Sequence, residues 1–355
     1  MTMMSLSNTK ISSLQSVRFL FAAMIFCHHY FTSYVMHEQL GLSAVTFFFI
    51  LSGFVSSIGY SGKVLDGTLD YKRFVKSRIL KLAPLNLVCL FLWFAPLFCN
   101  DVTTSDYHIL RYCSLVVDAL MIQSWIPFEW GYFSGNAVAW FLSSVFFCYL
   151  VFPFMVSFLK KYKYGMIPVI ALYLILLPLV PEKFTDALLY VNPLFRLLDF
   201  SLGIGLFFLL EELVSRVNVK KGFLVSTILE LAAISLFVGS FFLLPIIDIK
   251  YATASLFWIP SIILIAIMAL NDYKRDGGGV LYILQSQMLT RLGGLSFPIY
   301  MSHYIFVQWW WKIAEIYSLN RESLFGAMIC FSSALLFALL FNKIIEPNTV
   351  SLLRK

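Results

Sequence analysis

Two ionisable side chains lie inside the first long apolar run, LQSVRFLFAAMIFCHHYF: Arg18 and, eleven positions later, His29. An α-helix turns about 100° per residue, so eleven residues bring it within roughly 20° of a whole number of turns and advance it about 16 Å. Arg18 and His29 therefore share one helix face, and the adjacent His28 falls about 80° off it. An imidazole, with an unperturbed pKa near 6.5, can take a proton or act as a nucleophile. A guanidinium carries a fixed positive charge suited to an anion. Such groups are costly at membrane depth, and by default they mark a site. The competing reading is that Arg18 snorkels to the cytoplasmic surface while His29 hydrogen-bonds within a bundle.

The elements that must position this pair are membrane helices. Of 355 residues, 60% are apolar and only 13% charged, with a mean hydropathy of +0.84. That composition excludes an ordinary soluble domain. Apolar runs long enough to cross about 30 Å of hydrocarbon fall at roughly 14–36, 42–60, 82–99, 138–158, 165–180, 193–211, 222–244, 251–270, 294–314 and 323–344. The fold class expected is thus all-α, a polytopic membrane protein of about ten transmembrane helices. The fifth run is short, and 107–124 reads either as an eleventh span or as a re-entrant piece. The organisation is a polar tail over 1–13, one transmembrane domain over 14–345 and a tail over 346–355.

With the N-terminus inside, 19 of the 26 Lys and Arg fall on the inner side and 5 on the outer, with Arg18 and Arg196 within spans. The positive-inside rule places both termini in the cytoplasm. The net charge of +7 is then topogenic, set against anionic lipid, and no nucleic-acid partner is expected. The first apolar run lacks a small-residue cleavage site, so it reads as a retained span and not a signal peptide. The six cysteines show no metal-ligand spacing, and no metal site is expected; only Cys99 and Cys113 flank the outer loop closely enough to suggest a disulfide. The glycines at 277–279 read as a flexible hinge, and Trp125, Trp130, Trp140 and Trp309 to Trp311 as an interfacial aromatic belt. For Trp140 the sharper alternative is stacking on a sugar.

Further candidates carry paired readings. Ser52 either contributes to a site or is small to let helices approach. His303, inside the ninth span, reads as part of a site or of the layer supporting it. Arg196 and Asp199, three apart, can pair on one face and neutralise one another, or contact substrate. Arg73, Arg78 and Lys81 lie in the basic stretch LDYKRFVKSRILKLAP at 69–84. That stretch is either topogenic, an amphipathic helix on the inner leaflet, or a binding surface for an anion.

Several segments in order resemble acyltransferase family 3, the bacterial integral-membrane proteins that O-acylate cell-surface glycans. The opening run matches the family's Arg, ten residues, His hallmark. TFFFILSGFV at 46–55, FVKSRILKLAP at 74–84, NPLFRLLDFSLGIG at 192–205, LSFPIYMSHY at 295–304 and IIEP at 344–347, with Glu346, are similar to further family signatures. One departure stands out. In WFLSSVFFCYLVFP at 140–153 the family usually has one or two Glu after the Ser, where this chain has Val145 and Phe146. The nearest acids expected outside are Glu129 and Asp118.

The resemblance implies a membrane-bound O-acyltransferase, most simply an O-acetyltransferase, of the bacterial inner membrane. It would bind no cofactor, draw on cytoplasmic acyl-coenzyme A, most simply acetyl-coenzyme A, as donor substrate, and modify a glycan acceptor such as a lipid-linked or surface polysaccharide or lipopolysaccharide. His29 would be general base or nucleophile, Arg18 would hold the donor's arm, and Arg73, Arg78 and Lys81 its phosphates. The alternatives are a secondary transporter or flippase of lipid-linked sugars and an inactive family member acting as a partner.

Overall fold

The computed structural model describes residues 11–34, 37–98, 108–216, 222–274 and 279–345. Among them the chain is helical throughout. The first helix, α1 (Ser12–Tyr30), is unbroken and carries Arg18 and His29 a little over half its length apart. It packs against α2 (His37–Leu65), which overruns the apolar stretch at both ends.

The third helix begins earlier than its apolar run indicates. α3 (Tyr71–Phe98) continues through Pro84, so the basic stretch forms about its first four turns and not a separate helix lying on the leaflet. Arg73, Arg78 and Lys81 thus stand on the same rod that later carries Trp93. Between 108 and 124 the chain does not span. α4 (His108–Ala119) is about 18 Å long, too short for a 30 Å core, and it folds over α3 with a 3₁₀ turn at Gln123–Trp125 and α5 (Glu129–Tyr132).

There follow α6 (Trp140–Lys161), the short α7 (Met166–Leu176), a π-helical turn at Thr185–Tyr190, α8 (Pro193–Arg216) and α9 (Phe223–Gly239). The eighth apolar run is broken. α10 (Ile249–Ala254) ends before α11 (Trp258–Lys274), and Pro260 sits in the first turn of α11, where its missing N–H costs nothing. The short α12 (Gln287–Gly294) leads into α13 (Ser296–Ile316), which packs against α14 (Leu324–Ile344).

Among the described residues, six segments are long and apolar enough to cross a membrane: Glu38–Leu65, Tyr71–Phe94, Ala137–Lys161, Phe223–Leu243, Ile249–Tyr273 and Leu324–Ile344. Three of the other helices expected to span, α1, α8 and α13, are those that carry Arg18 and His29, Arg196 and Asp199, and His303. Polar residues that make a helix interesting also lower its apolarity.

Close backbone approach sets the α2–α8 crossing. A Cβ on Gly53 would collide with the Phe200 carbonyl, and one on Gly203 with that of Ile50. The Ser-Gly-Phe motif therefore divides its work, with Gly53 at the crossing, Phe54 buried beside Phe207 at 6.4 Å and Ser52 turned away from both. Gly279 is likewise a contact glycine and not a loose hinge, because a Cβ there would strike Glu230 and Thr227. Gly277, Gly278, Cys99 and Glu346 lie outside the described residues.

Candidate active site

Two stations lie along α1. At the lower one, Arg18 lines a small cavity of about 50 Å³ with Ser52 of α2, Lys81 of α3, Val145 and Tyr149 of α6, and Tyr300 of α13. Five helices, α1, α2, α3, α6 and α13, converge there, and on α6 Val145 and Tyr149 are four apart, one above the other. The lining contains no acid. Val145, one of the two positions at which the family resemblance leads one to expect Glu, is 2% exposed and faces this cavity. Arg18 Nη1 donates to Gln15 Oε1 at 3.3 Å and makes no ion pair among the described residues.

Beside this cavity Arg78 stands in an aromatic cage. Its guanidinium lies 4.9 Å from the rings of Tyr60 and Phe74 and 4.7 Å from Tyr149, so Tyr149 serves both the cage and the cavity. Such stacking holds a cation without neutralising it. Its Nε has no hydrogen-bond partner among the described residues. Arg73, by contrast, is exposed on the first turn of α3, where its backbone N–H donates to Asp70 Oδ1 at 3.0 Å. The structure brings Arg18, Lys81 and Arg78 together around Tyr149 and leaves Arg73 outside that group.

At the upper station three histidines cluster. The His29 ring lies 4.6 Å from His28, 5.2 Å from His303 and 5.1 Å from Tyr304, which stacks on Trp93 at 5.9 Å. His28 turns toward α2, where its ring packs against Gly41 so closely that a Cβ would collide with it. His303 is fully buried. Its Nδ1 lies 2.7 Å from the Tyr300 carbonyl, which fixes that nitrogen as the donor and leaves Nε2 as a bare acceptor. Its ring thus reaches His29 in one tautomer and one orientation.

Aromatic packing separates the stations. Phe48, Phe141 and Tyr300 meet at 5.4 to 6.4 Å, and Tyr300 donates to the Val138 carbonyl at 2.8 Å while its ring lies 6.0 Å from His303. The cavity lining reaches Tyr300 and stops there.

The remaining candidates sit elsewhere. Arg196 is 1% exposed; Nη1 donates to Asp199 Oδ2 at 2.6 Å, Nε donates to the Tyr190 carbonyl at 2.6 Å, and Trp258 Nε1 donates to Asp199 Oδ1. This pair ties α8 to α11 and to the π turn. Trp140 is 4% exposed and stacks over Arg196 and Tyr190 at 5.9 and 4.8 Å, so it belongs to that buried network and not to an interfacial belt. Its first-turn position on α6 concealed this, since a span end with a Trp looks interfacial until neighbouring helices are placed. Trp310 is also buried, donating to the Arg321 carbonyl at 2.9 Å.

Neither outer acid replaces the missing Glu in the cavity. Glu129 is exposed. Asp118 is 1% exposed beneath the α4 fold, where Oδ1 accepts from Ser134 Oγ at 2.7 Å and its backbone carbonyl accepts from Asn86 Nδ2 at 2.7 Å. Burial pushes its carboxyl up to about 7, an effect the Ser134 hydroxyl only partly offsets.

Comparison with known proteins shows the family. Residues 11–343 match the family described as an acyltransferase domain, acyltransferase family 3. The chain is 28% identical over 334 residues to the acyltransferase MdmB of Streptomyces mycarofaciens, covering 84% of this chain and 80% of that one. No solved structure matches. A family match over nearly the whole chain, encompassing both stations of α1, establishes that this protein belongs to acyltransferase family 3.

Proposed function

We propose that the protein is a multi-pass inner-membrane O-acyltransferase that moves an acyl group, an acetyl group in the first instance, from cytoplasmic acyl-coenzyme A to a hydroxyl of a lipid-linked or surface polysaccharide at the outer face. The observation that supports this most is the Arg18 cavity: a guanidinium and a lysine share a lining without an acid, one helix face below a histidine cluster. A cation site of that kind suits an anionic donor. Ten spans and cytoplasmic termini complete the reading and set the basic end of α3 inside.

In this mechanism His29 accepts the proton of the acceptor hydroxyl as that oxygen attacks the thioester carbonyl carbon. The tetrahedral intermediate collapses with cleavage of the C–S bond, and the proton passes to the departing thiolate to give free coenzyme A. An acyl-His29 intermediate uses the same residue in two displacements. His303 orients the His29 ring in either route, and Arg18, Arg78 and Lys81 hold the donor's anionic groups. Arg73, at the exposed start of α3, is the outermost contact of that surface. Ser52 lines the donor's entry.

Mass spectrometry of surface glycans from cells with and without the protein tests this directly. The expected outcome is a mass gain of one acyl unit that requires the protein, and identical glycans in both strains would contradict it.

A further inference from the structure

A polar pocket of about 340 Å³ lies past the histidine station, at the opposite end of α1 from Arg18, and is lined by Ser33, Tyr34, Asn320, Arg321 and Glu322. Two connections meet there, the one that follows α1 and the one that joins α13 to α14. They are pinned together just beyond His29. Tyr30 Oη donates to the Ser323 carbonyl at 2.7 Å, and Thr32 Oγ1 donates to Glu322 Oε1 at 2.6 Å. Only four residues of chain separate His29 from Ser33, which bounds the distance between their backbones at about 14 Å. A ligand anchored in the pocket can therefore place its other end at His29.

The hydrogen-bonding inventory of the pocket is one-sided. Its acceptors are largely taken by the protein itself: Glu322 Oε1 receives the Thr32 and Ser33 hydroxyls, Glu322 Oε2 receives the Ser33 backbone N–H, and Asn320 Oδ1 receives the Glu322 backbone N–H at 3.0 Å. Glu322 is thus the latch between the two connections. What remains for a ligand is donors, the Asn320 amide nitrogen and the Arg321 guanidinium. Arg321 makes no ion pair among the described residues. Its guanidinium lies 4.4 Å from the centre of the Trp311 ring, and its backbone carbonyl accepts from Trp310 Nε1 at 2.9 Å. Stacking on an indole holds the planar fork in place without neutralising it. A fork held that way receives a carboxylate or a phosphate through two parallel hydrogen bonds. A neutral sugar, whose hydroxyls need acceptors as well as donors, is served less well.

Resting on the acyl-transfer reading above, we propose that this pocket binds an acidic group of the acceptor glycan, a sugar carboxylate or a phosphate. Arg321 anchors that group, and a hydroxyl further along the glycan reaches His29. The acceptor is then an acidic glycan longer than a single sugar.

The experiment is saturation-transfer NMR of the full-length protein in detergent, without donor, against a glucuronate-bearing disaccharide, its carboxyl methyl ester and glucose 1-phosphate. The wild type should bind the glucuronate disaccharide about tenfold more tightly than the ester, the worth of one hydrogen-bonded charge. That comparison needs no variant to fold. Arg321→Gln should abolish the difference, and Arg321→Lys, which keeps the charge and loses the fork, should restore only part of it. Whichever of glucuronate and glucose 1-phosphate binds more tightly identifies the acid as carboxylate or phosphate. His29→Ala should bind the probes as the wild type does while releasing no thiol from acyl-coenzyme A, which separates this site from the transfer step. Equal binding of acid and ester by the wild type, or a preference that survives Arg321→Gln, would overturn the proposal; a wild type that binds the acid and releases no thiol would count against acyl transfer instead.

Discussion

At the scale of single residues, the chemistry turns on which histidine faces the site. His29 meets His303 and Tyr304, whereas His28 packs on Gly41 of the neighbouring helix. His29→Ala should therefore abolish acyl transfer, while His28→Ala keeps a substantial part of it at matched protein levels. A general acid or base contributes about 10²–10⁴-fold, so the expected loss for His29 is of that order or more. Measured thiol release from acyl-coenzyme A checks this, and an inactive His28 variant beside an active His29 variant would refute the assignment. On the donor side, Arg78 and Lys81 lie around the Arg18 cavity through Tyr149. Charge reversal at either should raise the acyl-coenzyme A concentration needed for half-maximal rate in inverted vesicles, with topology unchanged. Unaltered kinetics in correctly inserted protein would assign both charges to topology alone.

Between residues and the whole molecule stand the elements that hold the site, and they differ in how openly the sequence announces them. The helical stripe of Arg18 and His29 was legible because both lie on one helix, where a fixed angle per residue decides who shares a face. The cage around Arg78 was not, since Tyr60, Phe74 and Tyr149 come from three helices. Only Phe74, one turn before Arg78, gave a local signal. Trp140 was misplaced at the membrane surface for the same reason, as its partners Arg196 and Tyr190 lie some fifty residues away. Tyr300 and Tyr304 went unmarked in the sequence, where only His303 of that helix stood out, because nothing local tells that they face α1.

The α4 segment that folds over α3 carries its own test. Asp118 is buried with its carboxyl raised from 3.8 to about 7, so the folded form binds a proton that the unfolded chain gives up. Stability should consequently fall as pH rises from about 4 to about 7 and level off above, with a contribution approaching 1.4 kcal/mol per pH unit in that window. Asp118→Asn should remove this component. Melting temperatures in detergent across that range check it, and identical pH profiles for the two proteins would show that the buried carboxyl does not titrate as described.

For the molecule as a whole, the central claim is that one helix face joins a donor site at the basic end to an acceptor site at the other. Arg18 and His29 are about 16 Å apart along α1, and Phe48, Phe141 and Tyr300 close the space between the stations. Tyr300 belongs to both ends of this face, lining the Arg18 cavity with its ring 6.0 Å from His303. A transporter built on the same residues would move an intact molecule and leave the thioester whole. The deciding measurement uses purified protein in liposomes, with acyl-coenzyme A confined to the side of the basic α3 terminus and acceptor glycan supplied on the other. The account expects free coenzyme A on the first side and acylated glycan on the second, both lost in His29→Ala; passage of an intact molecule with no thiol release, at a rate that depends on His29, would contradict it.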